Sequence, residues 1–575
     1  WNLSETSRAL GQYEPDVPGN FDLLNLAHRS ANRTSFQPSK IMERVSSLSR
    51  RPMVQADSMP LIMYGRTSLS ILASLGLTNL QLLQILLAVV FLLHAADGAM
   101  LPGIFKALEE NLANATPVTL GSIVFVEALC HSIAVLVWGV LADRYCKLTM
   151  LMYATLSWGM VTCLTSFVTG VRVLFVVRAV AGTVGAALGP LSQGLIGATC
   201  PATDRGRAFG WLIACGQLGF MLGVLLAGAT SHMQVIKGWR GTFLLMGLIT
   251  LVLSWILYMA KMEVARGLFK ESRTWAQLSA ATKKGTADGL PLNDICKDLY
   301  FMLARPSFWV LIVQGAFAST TVRAMQYQVM WYQYLGFSDL SAASIACSAP
   351  LGSIFGAVCG GHVADFMAHR LPRHGRILFG QAADLTKIWV LLLTFVLTEV
   401  PRPTDYKIFL DRSALSFTFG FFSIMAYAGV IKPLYAEIVP PHMIAQVIAL
   451  GAAVDGAFAS IASTPVVGYI TQRVFHYQST SQSIKNMPTE LRATNAQALG
   501  RAIAWVTVCS SAIALITFSF LHLTYNQDAK VAKRKEADAL PAVEDGDSSG
   551  DEEGGKGSRS STKSVTFAPG TGGRG

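Results

Sequence analysis

Twelve apolar segments, each close to the length of a bilayer-spanning helix, limit what this chain can fold into. They run over 79–102, 118–142, 149–169, 171–199, 207–230, 240–260, 307–335, 341–364, 376–399, 410–438, 443–471 and 499–524. A hydrocarbon core about 30 Å thick takes about 20 apolar residues of helix. Of the 575 residues, 52 % are hydrophobic and 14 % charged. Soluble domains carry about 25 % charged residues. The chain lacks the charged shell that a cytosolic enzyme, a nucleic-acid binder or a disordered scaffold of this size needs. Inside a bilayer every backbone N–H and C=O must be paired within its segment, which selects helices. A polar stretch, 261–306, separates the sixth segment from the seventh. The fold expected is all-α: a polytopic membrane protein of twelve transmembrane helices, built as two pseudo-symmetric six-helix halves, 79–260 and 307–524.

The net charge of +11 suggests nucleic acid only until the basic residues are located. They lie between apolar segments and outside them. Residues 1–78 carry eight Lys and Arg, and 261–306 eight more. Arg144 and Lys147, Arg205 and Arg207, and Arg370, Arg373 and Arg376 fall in loops on the same side. The opposite turn, Gly336–Leu340, has none. The stretch 472–498 is an exception, with Arg473, Lys485 and Arg492. Excess Lys and Arg mark cytoplasmic loops, so both termini are expected in the cytosol. Residues 1–78 and 525–575 are polar and read as disordered tails; the first has no apolar core of a signal peptide. The nine Cys are scattered, and Cys130, Cys163, Cys215, Cys347 and Cys509 read as small buried residues.

A repeat comes next. Gly139-Val140-Leu141-Ala142-Asp143-Arg144-Tyr145-Cys146-Lys147 follows segment 2. Gly361-His362-Val363-Ala364-Asp365, with Arg370 and Gly375-Arg376 beyond, follows segment 8. Both place Gly–x–x–Ala–Asp at a helix end before a basic loop. Such parallel repeats, related by an axis along the membrane normal, build rocking transporters. Glycine lets helices approach closely, and an aspartate at a helix end can pair with arginine. The motif residues Gly139, Asp143, Arg144, Lys147, Gly361, Asp365 and Arg376 are expected to act as a charged latch.

On these residues the chain, over about 79–524, resembles the major facilitator superfamily. Gly139–Lys147 is similar to the family's loop signature between helices 2 and 3, with Cys146 where the family usually has Gly. Arg178-Ala179-Val180-Ala181-Gly182, Asp204-Arg205-Gly206-Arg207-Ala208-Phe209-Gly210-Trp211 and Trp239-Arg240-Gly241-Thr242-Phe243 extend the resemblance. Ala96-Asp97 with Leu101-Pro102, Pro190 with Gln193, Met330-Trp331-Tyr332, Leu335-Gly336-Phe337, Pro372–Arg376 and Ala436–Pro440 resemble the spinster-like branch. The resemblance implies a secondary active transporter whose helices 1, 4, 7 and 10 surround a cavity between the halves. It suggests a small solute, anionic or lipid-like. The different readings are a non-transporting receptor or sensor on the same scaffold, or a channel; the two latch motifs argue against the receptor.

Within that frame the substrate-binding candidates are Asp97, Arg178, Gln193, Arg323, Gln326, Tyr327 and Tyr427. Ionisable residues inside a span are costly and face protein or water. Counted along their helices, Asp97 and Arg178 lie at compatible depths, which makes an ion pair feasible. Arg323 stands where the branch tends to have an amide, and a guanidinium suits carboxylate or phosphate. Glu127 and His131, four apart, share a helix face. With Asp97 they are the proton-coupling candidates. Asp455, and Asp384 with Lys387, read as structural pairs. No catalytic pattern, paired-His metal spacing or phosphate loop is present, so neither enzyme activity nor cofactor nor metal is expected. The partners expected are the bilayer and a small-molecule substrate, on a monomer. Lys563-Ser564-Val565-Thr566-Phe567 resembles a protein phosphatase 1 docking motif, with Val565 and Phe567 as the anchors.

Overall fold

The computed structural model describes residues 79–199, 202–231, 233, 238–265, 292–396, 406–440 and 443–539. Twelve described helices are long and apolar enough to cross a membrane. In the first half they are α1 (Gln81–Gly103), α2 (Pro117–Ala142), α3 (Lys147–Ser166), α4 (Val171–Ile196), α5 (Gly210–Thr230) and α6 (Trp239–Lys261). In the second they are α7 (Pro306–Tyr334), α8 (Asp339–Arg370), α9 (Gly375–Phe395), α10 (Tyr406–Glu437), α11 (Gln446–Val474) and α12 (Thr489–Ser519). The protein is an integral, multi-pass membrane protein. No strand occurs among the described residues.

Twelve crossings bring the start of α1 and the end of α12 to one face, the termini side. Local chemistry sets the helix ends. Thr116 caps α2 in a capping box with Thr119, and Pro117 takes the first turn, where its missing N–H costs nothing. Ser338 caps α8 by accepting from Ser341 N at 3.2 Å. The turn between α7 and α8 passes through Gly336 at φ +100°, which only glycine adopts without strain.

Packing repeats between the halves. α1 packs on α5, α2 on α4 and α3 on α6; α7 packs on α11, α8 on α10 and α9 on α12. The halves join through α5 on α8 and α2 on α11, two contacts that exchange under the repeat. Lipid chains are as apolar as the side chains, so close van der Waals contact replaces a hydrophobic drive. A Cβ at Gly182 would lie 2.1 Å from Glu127 O, and one at Gly223 2.1 Å from Ala96 O. In the second half a Cβ at Gly420 would lie 1.8 Å from Ala349 O. Glycine at these positions brings backbone onto backbone.

Several spans are interrupted. α4 breaks between Gly185 and Leu188, and α7 passes through a 3-10 turn at Met325–Tyr327. α10 holds a π-helical turn at Tyr427–Ile431, and α11 breaks at Ser463 before Pro465. Such turns often sit at functional sites because they re-aim side chains.

Two helices correct the expected boundaries. Residues 521–539, read from sequence as mostly tail, form a helix, Leu521–Ala539. Its polar composition hides it from any count of apolar residues. It is held by tertiary contacts: Asp528 accepts from Ser307 N at 2.8 Å, capping the start of α7, and Thr524 meets the Ser307 hydroxyl at 3.0 Å. A second helix, Leu292–Leu303, lies inside the stretch taken as a central loop. The remaining parts of both tails and of that loop lie outside the described residues. Among the cysteines, Cys347 is buried, Cys130, Cys163 and Cys215 are half-buried, and Cys509 is exposed.

Candidate functional site: a cavity between the halves

A cavity of about 450 Å³ opens between the two halves. α7, α8, α9 and α10 supply most of its wall, with α1 and α5 opposite. Phe220, Val322, Phe419 and Ile424 make much of the wall apolar, while Gln217, Gln314, Gln326 and Gln328 add amides. Three of the expected substrate residues line it: Arg323, Gln326 and Tyr427. The 3-10 turn that follows Ala324 sets Gln326 toward the cavity and turns Tyr327 away from it.

The charges of the wall do not cancel. Lys387 Nζ stands 2.7 Å from Asp384 Oδ1, and Gln314 donates to Asp384 Oδ2 at 3.4 Å. That pair is the structural pair expected from the sequence, but it lines the cavity although it belongs to α9. Arg323 has no hydrogen bond and no ion pair among the described residues. Its guanidinium makes no direct contact with a carboxylate; Glu127, behind the wall, lies within its electrostatic reach.

The other expected substrate residues lie elsewhere. Asp97 and Arg178 sit in the interior of the first half, 3 % and 0 % exposed. Arg178 holds Glu127 with Nε at 2.9 Å and Nη2 at 2.5 Å. Its Nη1 stays 3.8 Å from Asp97 Oδ2 and has no hydrogen bond among the described residues. The pair anticipated between Asp97 and Arg178 is thus the weaker arm of a three-residue cluster. Asp97 is held instead by Trp158 Nε1, which donates at 3.2 Å, and by the Thr162 hydroxyl at 3.5 Å. His131 stacks on His94 with ring centroids 6.3 Å apart, and His94 meets the Trp158 ring edge-on at 5.4 Å. The three proton-coupling candidates, Asp97, Glu127 and His131, therefore belong to one polar cluster joined by Arg178, His94 and Trp158, in which Asp97, Arg178 and Trp158 are buried and the others half-buried. Gln193 is exposed on α4.

Tyr327 closes the cavity on the side opposite the termini. It is fully buried and donates to Pro117 O at 2.5 Å, across the boundary between the halves. Beyond it lies a network that the sequence reading missed. Lys106 and Glu109, on the short helix Phe105–Asn111, pair at 3.0 Å with both side chains 1 % exposed. Tyr334 donates to Glu109 Oε2 at 3.0 Å, Tyr477 at 2.9 Å, and Ser479 to Oε1 at 2.8 Å. Lys106 also donates to Thr480 O at 3.2 Å. Charge and burial hold the Tyr477 hydroxyl well above its ordinary pKa: burial first, then the Glu109 carboxylate. The signal was present as Lys106-x-x-Glu109 at helical spacing, in a stretch counted as a connection between spans.

The motif ends lie on the termini side. Among the described residues, no atom from another element comes within 4 Å of where a Cβ would lie on Gly139 or Gly361, so neither glycine mediates the close approach expected of it there. The reason is geometric: the contacts between the halves described above cluster on the opposite side. Lys147 lays its aliphatic chain along Gly194 of α4. Arg376 bonds Asp365 at 2.8 Å and also meets Glu437, which accepts from Tyr525 of the C-terminal helix. The second motif is thus tied within its own half. The side chains of Asp143 and Arg144 lie outside the described residues, as do Val565 and Phe567.

Comparison with known proteins agrees with this architecture. A profile of the Major Facilitator Superfamily matches residues 86–464. An uncharacterised MFS-type transporter of Methanocaldococcus jannaschii is 30 % identical over 131 residues, 23 % of this chain and 34 % of the relative, about a third of its length. A bacterial homologue of the human lysosomal transporter Spinster, crystallised inward-facing and unoccupied, superposes with a TM-score of 0.63. It is 15 % identical, over 78 % of this chain and 98 % of that one. A D-xylose–proton symporter superposes with a TM-score of 0.53 at 14 % identity, over 76 % and 96 % of the two chains. The fold is shared with both. With the profile spanning well over half of its residues, the chain belongs to the major facilitator superfamily.

Proposed function

We propose that the protein is a secondary active transporter that carries a small amphipathic anion by alternating access, coupled to protons. The observation that carries this reading is the cavity between the halves, sealed opposite the termini by Tyr327 and the Glu109 network, with Arg323 unpaired in its wall. An unpaired guanidinium in an apolar cavity favours carboxylate or phosphate, while the apolar wall suits a hydrocarbon body. The resemblance of the sequence motifs to the spinster-like branch suggests a lipid-like solute. Nothing in the geometry favours a receptor, an enzyme or a channel over this reading.

Rocking would open the sealed side and bring the motif ends together. Gly139 and Gly361, free of close neighbours among the described residues, would then meet the opposite half, and Asp143, Arg144 and Lys147 would form the latch. Proton coupling would run through Asp97, Glu127 and His131, with Arg178 released or held according to which carboxylate carries the proton. We place both termini in the cytosol, and assign Val565 and Phe567 as phosphatase anchors on a monomeric transporter.

Counterflow in proteoliposomes tests the transport reading. Vesicles preloaded with a lysophospholipid, a sphingoid phosphate or a short-chain organic anion should each be assayed for accumulation of the labelled form. Saturable, trans-stimulated uptake of an anionic member is the expected result. Non-saturable flux would point to a channel, and no flux of any anion would remove the substrate class.

A further inference from the structure

Asp455 lies in α11 and is 6 % exposed, yet its Oδ1 has no hydrogen-bond partner among the described residues. Among the described residues no cation stands within ion-pair distance of it. No ionisable group on the elements packed against α11 pairs with it among the described residues. On α2, Glu127 is taken by Arg178 and His131 stacks on His94. On α10, Lys432 lies over the Tyr427 ring at 5.1 Å. On α7, Arg323 lines the cavity with its Nη2 near Gly456 of α11 but makes no ion pair with Asp455, and on α12, Arg501 is exposed. Tyr427 and Tyr435 of α10 lie within electrostatic reach of the carboxylate, and the buried Tyr435 hydroxyl is also without a partner.

A bare carboxylate buried in a membrane protein without donor or counter-charge is strongly disfavoured. A carboxylic acid gains a donor and can be matched by a hydroxyl oxygen. The carboxyl also sits against the cavity. A Cβ on Gly315 would lie 2.3 Å from Asp455 Oδ2, so only glycine at 315 leaves room for it. Gly315 and Tyr427 both line the cavity, which puts Asp455 one layer behind its wall.

We propose that Asp455, with Tyr435 beside it, is a proton-binding site in the second half, filled from the cavity past Gly315. In the closed-off state described here the carboxyl holds the proton; water entering at Gly315 accepts it when the wall moves. The site is separate from the Asp97, Glu127 and His131 cluster, and its occupancy can be read without any transported solute.

The test uses the purified full chain in detergent and the probe dicyclohexylcarbodiimide. This reagent adds a protonated carboxyl across its C=N bond and rearranges to a stable acylurea with no leaving group. Labelling is mapped by mass spectrometry at pH ~6 and pH ~9, both well above the ordinary aspartate value of about 3.9. Asp455 should be labelled at the lower pH and several-fold less at the higher, while Asp384, paired with Lys387, stays unlabelled. Equal labelling of Asp384, or protection of Asp455 by sodium at constant pH, would overturn the proposal. Infrared difference spectra of wild type against Asp455→Asn give a second reading. A protonated-carboxyl band at pH ~6 that the substitution removes is expected, and an unchanged band would also overturn it.

Discussion

The Tyr334 hydroxyl donates to Glu109 Oε2 at 3.0 Å, across the boundary between the two halves. Tyr334 ends α7, and Glu109 lies just beyond α1, so the bond ties the far ends of two helices that must separate if the bundle rocks. Both groups are buried, and the second tyrosine, Tyr477, closes the same carboxylate from the loop after α11. A hydrogen bond to a charged group contributes about 1.5–3 kcal/mol. Tyr334→Phe should therefore shift the balance toward opening of this side by roughly 10- to 150-fold at most. Distances between spin labels on the far ends of α2 and α11 read that shift. An unchanged distance distribution would assign the network to folding alone.

Arg178 should matter more for folding than either of its carboxylates. Removing one partner of a buried ion pair costs about 3–5 kcal/mol, because the other charge stays buried. Arg178→Met leaves both Glu127 and Asp97 without it. Asp97→Asn keeps the two-point Glu127 contact and loses only a 3.8 Å approach. Thermal unfolding of the purified variants should rank Arg178→Met well below Asp97→Asn. Equal losses would mean that the Asp97 arm is as strong as the Glu127 arm. In proteoliposomes, Asp97→Asn should abolish acceleration by a pH gradient while solute exchange persists. A full gradient response would move coupling to Glu127 and His131.

Arg323→Gln tests the charge of the cargo. If the guanidinium binds an anion, the apparent KM for that anion should rise roughly 10- to 150-fold, as for a lost hydrogen bond to a charged group. A neutral analogue should be much less affected. Equal weakening of both would make Arg323 a packing residue.

The C-terminal helix should loosen in acid. His522 Nε2 donates to Gln381 Oε1 at 3.2 Å, so its Nδ1 is bare and accepts from His374 Nδ1, 2.8 Å away. Burial, then His374, holds the His522 pKa below its ordinary value. A depressed histidine favours the neutral form when docked. The contact is thus complete at high pH and is lost as pH falls through the ordinary value of about 6.5 and below it. Hydrogen exchange over 521–539, corrected for its intrinsic pH dependence, should quicken between pH ~7.5 and pH ~5.5. His374→Gln, whose amide can accept as well as donate, should remove that change. Equal protection of the wild type at both values would contradict the assignment.

The spans were legible because length and apolar content are one-dimensional, and the two motifs because they repeat. Helix crossings were not. Depth along α1 and α4 pairs Asp97 with Arg178, but Gly182 packs α4 onto the Glu127 backbone. Arg178 is four residues from Gly182, on the same face, so it meets Glu127 instead. Asp384 and Lys387 reach the cavity although α9 is outside the four helices the family resemblance implies. Helix Leu521–Ala539 stayed hidden because its anchors, Ser307 and Glu437, are more than eighty residues away in sequence.

Alternating access is tested most directly by labelling both sides at once. Cys146, exposed in the loop between α2 and α3, reports on the termini side. Burial works against its thiolate, but hydrogen bonds with Thr149 and Leu148, together with the Lys261 charge, outweigh it and hold the thiol below its ordinary pKa, which favours reaction. Thr464→Cys reports on the other, since Thr464 is 1 % exposed and bonds Gly121 O across the halves at 3.3 Å. Maleimide rates at both positions are measured by mass spectrometry, with and without Glu109→Gln. The account predicts a reciprocal change: labelling at 464 rises while labelling at Cys146 falls. Rates that rise together, or a change at 464 with Cys146 untouched, would contradict it.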